Sequence, residues 1–206
     1  MRYILTSIFL CSFAFAVDIS TDFTSSGVVP DVIVKAPGEI LAVTYKDSNE
    51  KDKDLRFGEE LTPTIVKDPP ALAWFTVDNA YYTVAMVDPD APSASDPKMR
   101  EMLHWLVANI PGGDLSKGEA IVEYVGSGPS KGTGLHRYVL LVYKQPEKLV
   151  IQEARVSKHE RAGRPSFNIR NFANKYKLGE PISGNMFRAQ YDDYVPTIHK
   201  QLGENN

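Results

Sequence analysis

Apolar residues fall at alternate positions around Leu41, Val43 and Tyr45, the pattern of a half-buried strand. Further runs rich in Val, Leu, Tyr and Trp occupy residues 71–77, 81–87, 104–110, 119–125 and 136–143, each bounded by Pro, Gly or Asp. No helical period separates one run from the next. The pattern therefore predicts a mainly β fold, an antiparallel β-sandwich, in preference to βαβ units. Helical spacing is confined to the C-terminal part. Phe167, Phe172 and Tyr176 share roughly one face of residues 167–177, after the turn-like Gly163-Arg164-Pro165-Ser166. Residues 195–202 follow Asp192-Asp193, carry Pro196 in the first turn and end before Gly203. These segments predict two peripheral helices. Residues 46–54, of mixed charge, read as a solvated loop.

The N-terminus follows a different grammar. Arg2 supplies a positive start, residues 4–15 a short apolar run, and Ala14-Phe15-Ala16 the small-x-small pattern of a signal-peptidase site. The expectation is a signal peptide over residues 1–16, cleaved after Ala16, and a secreted single domain over residues 17–206. The apolar run is shorter than the roughly 20 residues a membrane span requires. Cleavage removes Cys11 and Arg2, so the mature chain has no cysteine and a net charge of 22 minus 26, or −4. Burial alone must then hold the domain together, which is feasible for about 190 residues.

Composition changes the picture little. The 206 residues are 43% hydrophobic and 24% charged, which sets aside disorder and coiled coil. With 23 basic against 26 acidic residues, the chain lacks the cationic surplus that neutralising phosphates requires, so no nucleic-acid partner is expected. There is no Asn-x-Ser/Thr acceptor.

Three segments carry more polar chemistry than a strand needs. In Met86-Val87-Asp88-Pro89-Asp90-Ala91-Pro92-Ser93 a strand runs into two carboxylates held by a rigid proline turn. His104 sits in a strand that is apolar on both faces. Residues 126–138 place several glycines ahead of His136-Arg137-Tyr138, and glycines permit the left-handed backbone and close approach that turn free N–H groups into an anion cradle. Taken singly, each has an ordinary explanation: a strand-ending turn, a core histidine, a flexible loop. The glycine loop is not a nucleotide P-loop, because Gly132-Thr133-Gly134 leads into a strand and not into a helix.

In combination, these segments resemble the phosphatidylethanolamine-binding protein family, also known as Raf kinase inhibitor proteins. The resemblance rests on Leu61-Thr62-Pro63-Thr64, the DPDAPS run at 88–93, His104, the YVGSGP-x-KGTGLHRY run at 124–138, and Asp192-Asp193-Tyr194-Val195-Pro196. It implies a β-sandwich with C-terminal helices and a small anion pocket at one end. It also implies a binding protein, not an enzyme, with no cofactor. The implied pocket residues are Asp88, Pro89, Asp90, His104, Gly126, Pro129, His136 and Tyr138, with Gly128 in the same glycine loop. Two positions depart from the family pattern. His199 stands where animal members commonly have a tyrosine in the last helix, and Met102 replaces the tryptophan common just before the strand histidine. The serine phosphorylated in kinase-regulated members aligns with Asn171, which accepts no phosphoryl group, so Raf inhibition through that switch is not expected.

The chemistry of the residues fits such a pocket. Imidazoles and glycine N–H groups donate to phosphate oxygens, and a carboxylate can orient an imidazole or face an ammonium. Phosphatidylethanolamine-like phospholipid headgroups, phosphate and other small anions are therefore the expected ligands, with peripheral membrane contact and an unassigned protein target as further partners. Asp88 beside His104 or His136 is expected to raise that histidine's pKa. Two other readings stay open. Asp88, His104 and His136 could serve a hydrolase, although no nucleophile elbow accompanies them. A serine protease inhibitor acting by surface contact is the other.

Overall fold

The computed structural model describes residues 19–203. The expected cleavage site at Ala16 lies outside them. In chain order the elements are helix α1 (Ile19–Ser25), the short helical turn α2 (Val28–Asp31), strands β1 (Glu39–Ile40), β2 (Ala42–Lys46), β3 (Asp52–Asp54), β4 (Ala71–Ala73), β5 (Tyr81–Asp88) and β6 (Met102–Pro111), and a 3-10 turn at Leu115–Lys117. Then come β7 (Glu119–Val122), β8 (His136–Lys144), helix α3 (Ile169–Lys175), β9 (Ser183–Ala189) and helix α4 (Val195–Gln201).

Six strands form the main sheet in the order β1-β9-β8-β5-β6-β7, and three form a second sheet in the order β3-β2-β4. All pairings are antiparallel except the two-residue β1, which runs parallel to β9. The main sheet is buried on both faces, because successive side chains of a strand point to opposite sides. Val84 and Met86 of β5 pack with Tyr138, Leu140 and Val142 of β8 against Leu41, Val43 and Tyr45 of the small sheet. Their neighbours Ala85, Val87, Val139, Leu141 and Tyr143 face the other way, onto Phe23 of α1 and Ile169, Phe172 and Ala173 of α3. This doubled burial is why β5 and β8 read as continuous apolar runs and not as alternating ones.

The expected sandwich is present, with differences of detail. Residues 46–54 are a polar hairpin and not simply a loop: Lys46 stands opposite Asp52 across β2 and β3, and their side chains pair. The run at 71–77 keeps strand pairing only over Ala71–Ala73, and that at 119–125 only over Glu119–Val122. Strand β9 lies where the sequence shows Ser-Gly-Asn, a turn-like start. Gly184 is closely packed there: a Cβ would stand 3.1 Å from the Phe23 ring and 3.2 Å from the Leu140 carbonyl oxygen, so a larger residue would make its neighbours give. Both C-terminal helices form, shorter by a residue or two at their ends than the spacing predicted.

The sheet gathers the polar segments at one end. Asp88 closes β5 and pairs with Met102 at the start of β6. His136 opens β8 and pairs with Ala189 at the end of β9. The glycine loop between β7 and β8 arches over this end.

Candidate functional site

Asp88 is placed by β5 and fixed by its own turn. One carboxylate oxygen accepts the Asp90 N–H at 2.7 Å, and the other lies 2.8 Å from His136 Nδ1. Both side chains are buried. Because an ionised carboxylate only accepts, Nδ1 carries the proton and Asp88 fixes the ring's orientation. The opposite nitrogen, Nε2, is 3.0 Å from the hydroxyl of Thr133, which is itself 2.8 Å from the Ser130 carbonyl oxygen.

His104 is built differently. Its Nδ1 is 3.0 Å from the Val125 carbonyl, so Nδ1–H donates and Nε2 is the acceptor of the neutral ring. Burial pushes the His104 pKa below its ordinary value, outweighing the attraction of Asp88. The expected rise beside Asp88 is thus overturned at His104, where desolvation of the imidazolium wins. Behind it, the fully buried Arg164 guanidinium donates to the carbonyls of Leu103, His104, Glu123, Ser157 and Glu160, locking the start of β6. Tyr138 meets His104 edge-on at 5.1 Å and stacks on Phe187 at 5.0 Å. Burial pushes its phenol pKa up, so it stays a neutral hydroxyl.

These groups wall a cavity of about 80 Å³. That holds a few water-sized fragments, far below the roughly 300–1,000 Å³ of pockets that enclose drug-sized molecules. Asp88, Met102, His104, Gly126, Gly128, Pro129, His136, Tyr138 and His199 all line it. His199 reaches in from α4 and donates Nε2–H to the Gly128 carbonyl at 2.9 Å. Gly126 is obligatory, since a Cβ there would lie 2.4 Å from the Val66 carbonyl oxygen.

Pro89 and Asp90 do not line the cavity. Asp90 turns away to take a two-pronged ion pair from Arg137, at 2.9 and 2.7 Å, together with the Arg137 N–H at 2.9 Å. Burial pushes the Asp90 carboxyl up, but the Arg137 hydrogen bonds and charge together hold it below its ordinary value. Arg137 also reaches Asp31 at 2.8 Å, and Asp31 in turn holds Arg100 at 2.7 Å. Pro89 uses its carbonyl to accept from Arg100 at 2.8 Å. Both residues thus brace the turn from behind.

Sequence reasoning missed the rest of the wall: Ala91, Pro92, Met99, Val125, Ser130, Arg161, Ile198 and Leu202. Ala91 and Pro92 lie inside the run at 88–93, and Val125 and Ser130 inside the run at 124–138, whose histidines, glycines and carboxylates carry the stronger signal. Ile198 and Leu202 belong to the apolar face of α4, which reads as ordinary core. Arg161, which donates to the Met99 sulfur at 3.0 Å, has no local signal at all. Among the described residues no cluster of three or more His, Cys, Asp or Glu is placed to hold a metal ion, and no helix is long and apolar enough to cross a membrane.

Two packed sheets with a histidine-lined cavity at the strand ends define a particular class of β-sandwich domain. Residues 35–190 match the family model described as phosphatidylethanolamine-binding protein, and the chain belongs to that family. It is 39% identical over 175 residues to the Drosophila melanogaster protein named "Putative odorant-binding protein A5", covering 85% of this chain and 81% of that one. To the "26 kDa secreted antigen" of Toxocara canis it is 37% identical over 176 residues, covering 82% of this chain and 63% of the antigen, so it spans less than two thirds of that relative's length. The solution structure of CG7054 superposes with a TM-score of 0.68 at 47% identity, covering 85% of this chain and 97% of that one. A carboxypeptidase Y inhibitor, solved in complex with its cognate proteinase, superposes with a TM-score of 0.70 at 25% identity, covering 88% and 98%.

Proposed function

We propose that this is a secreted, non-catalytic binding protein whose cavity takes a small phosphate-type anion, with the phosphoethanolamine headgroup of a phospholipid as the best-fitting ligand. The observation that carries the reading is the convergence of His104, His136 and the glycine loop on one cavity of about 80 Å³, with Asp88 behind His136. Imidazole and backbone N–H groups supply donors for phosphate oxygens, and the low-dielectric wall strengthens each bond. Asp88 supplies the negative charge that a headgroup ammonium needs. The small volume keeps acyl chains outside. Secretion is supported by the signal-like N-terminus and by the name of the Toxocara relative.

Two secondary readings each have an observation behind them. Protease inhibition by surface contact is favoured by the likeness to the carboxypeptidase Y inhibitor. Hydrolysis is favoured by the Asp88–His136–Thr133 alignment, which has the order of a carboxylate–imidazole–hydroxyl relay. Thr133 is not part of the cavity wall, however, and its one proton has the Ser130 carbonyl as a competing acceptor.

Native mass spectrometry of protein collected from the culture medium, with its co-purified small molecules, tests the proposal. A released phospholipid or headgroup supports it. A covalent acyl or phosphoryl adduct on Thr133 would replace it with the hydrolase.

A further inference from the structure

At the opposite end of the main sheet lies a second, larger concavity of about 950 Å³. Its walls come from the start of α1 (Ile19, Ser20), the start of β5 (Tyr82), Ile182 and the first residue of β9 (Ser183), the segment before β1 (Pro37, Gly38) and the stretch after β4 (Phe75, Val77). Tyr82 and Asp88 are six residues apart on one strand, so the groove and the histidine cavity are separated by about 20 Å. Neither the family resemblance nor the proposed headgroup site accounts for it.

Three features show that the groove is built to hold something. Phe75 and Val77 are 71% and 45% exposed, yet they are not loosely presented. The Tyr82 hydroxyl accepts the Val77 N–H at 2.7 Å, and Trp74 packs edge-on against the Tyr82 ring at 5.7 Å, so the segment bearing Phe75 is pinned. Second, Ser183 in the wall is 1% exposed and its hydroxyl has no hydrogen-bond partner. Buried hydroxyls are nearly always satisfied, and an orphan normally costs free energy. A serine hydroxyl turns about one torsion to donate or accept, so a polar head that reaches the floor of the groove supplies the partner Ser183 lacks. Third, the charges balance: the lining holds two lysines, Lys35 and Lys144, and two glutamates, Glu39 and Glu180. A groove with no net charge gives a carboxylate or an ammonium no advantage over a neutral head.

From the mainly apolar wall, the single orphaned hydroxyl and the balanced charge, we infer a second ligand site for a neutral amphiphile, a medium-chain alcohol or carbonyl compound. Its hydrocarbon body lies on Phe75, Val77 and Ile182, and its oxygen bonds to Ser183. The volume falls in the roughly 300–1,000 Å³ range of small-molecule sites. This site is independent of the headgroup reading and stands if that reading fails.

The test is fluorescence binding of pyrene, a neutral hydrocarbon, to the purified secreted protein, followed by displacement with decanol, decanoate and glycerophosphoethanolamine. Pyrene binds, decanol displaces it more strongly than decanoate, and glycerophosphoethanolamine does not compete. Phe75→Ala, at an exposed position that leaves the fold intact, weakens both ligands about ten-fold. Ser183→Ala leaves pyrene unchanged and weakens decanol about five-fold, the loss of one neutral hydrogen bond. His136→Ala changes neither. The inference is overturned if pyrene does not bind, if decanol is indifferent to Phe75→Ala or Ser183→Ala, or if glycerophosphoethanolamine competes. It is also overturned if sedimentation shows a dimer that Phe75→Ala dissociates, which would assign the groove to a second copy of the chain.

Discussion

Asp88 and His136, at the end of one central strand and the start of its neighbour, are joined by a 2.8 Å carboxylate–imidazole hydrogen bond in a site almost closed to solvent. Neither residue owes its position to a loop. Strand pairing of Val87 with Val139 brings them together, so the pair is as rigid as the sheet itself. With Nδ1 committed to Asp88, a ligand can reach the ring only at Nε2, where it must displace the Thr133 hydroxyl 3.0 Å away.

The pair makes the first prediction. His136→Ala removes an imidazole donor to the charged phosphodiester and weakens binding of glycerophosphoethanolamine by about 1.5 to 3 kcal/mol, read by titration calorimetry. Asp88→Asn keeps the side-chain shape and the Asp90 N–H bond but removes the charge behind the imidazole, and should weaken binding in the same direction. Wild-type affinity in both variants would remove the pair from the binding site.

The second prediction concerns the turn behind the cavity. Asp90→Ala leaves the half-buried Arg137 guanidinium with Asp31 and backbone carbonyls but without its two-pronged partner. Breaking a buried pair so that one charge is left uncompensated costs about 3 to 5 kcal/mol; with Asp31 still paired to Arg137, the cost here lies below that range. The expected readout is a fall in unfolding free energy by denaturant titration, with residual ligand affinity wherever the fold survives. A specific loss of ligand affinity at unchanged stability would return Asp90 to the binding site.

His104 sets the pH behaviour. Its neutral ring is favoured in the folded protein, and Nε2 of that ring accepts hydrogen bonds where an anion requires a donor. Anion binding therefore draws a proton onto His104, and affinity for a phosphodiester should rise as pH falls from 8 to 5, with measurable proton uptake in calorimetry across buffers of different ionisation enthalpy. In the unliganded protein the sign is opposite. Because the folded pKa lies below the ordinary 6.5, the unfolded chain takes up the proton first, and the His104 contribution to stability, complete above 6.5, is lost as pH falls below it. A phosphodiester affinity flat across this range would show that His104 takes no part in binding.

Sheet and site were legible to different degrees, for physical reasons. Strands β5, β6 and β8 announce themselves because both faces are buried, so residues such as Val84, Ala85 and Met86 are all apolar. Strand β9 is hidden, because Gly184 and Asn185 occupy positions set by close packing and a hydrogen bond to the Leu41 carbonyl, neither of which has a sequence period. Helix α1 is likewise silent: of its seven residues only Phe23 is buried. At the site, the histidines and glycines stood out through their motifs. The direction of Asp90 depends on Arg137, 47 positions away, and no local pattern carries it. Arg161 reaches the cavity only through tertiary packing, and the groove at Ser183 has no motif at all.

The last prediction concerns Glu101, a buried carboxyl beside the cavity residue Met102. Its Oε2 accepts the Ile169 N–H at 3.0 Å at the start of α3, while its main chain pairs with Phe167. Burial pushes its pKa up to about 7, against the pull of the Ile169 hydrogen bond and of Arg170 and Arg100. The protonated acid is thus favoured in the fold. Between the ordinary value of 4.5 and about 7 the folded protein holds a proton that the unfolded chain releases, so the Glu101 contribution is fully present below 4.5 and is lost as pH rises through 7. Glu101→Gln keeps an oxygen acceptor for Ile169 and removes the titration. It should leave stability nearly unchanged at pH 4.5 and raise it at pH 8 by on the order of 2 to 3 kcal/mol. Thermal unfolding of both proteins at the two pH values measures this. An equal shift at both pH values would mean that Glu101 acts through packing alone, and a loss of stability at pH 8 would show that the ionised carboxylate is the form the fold requires.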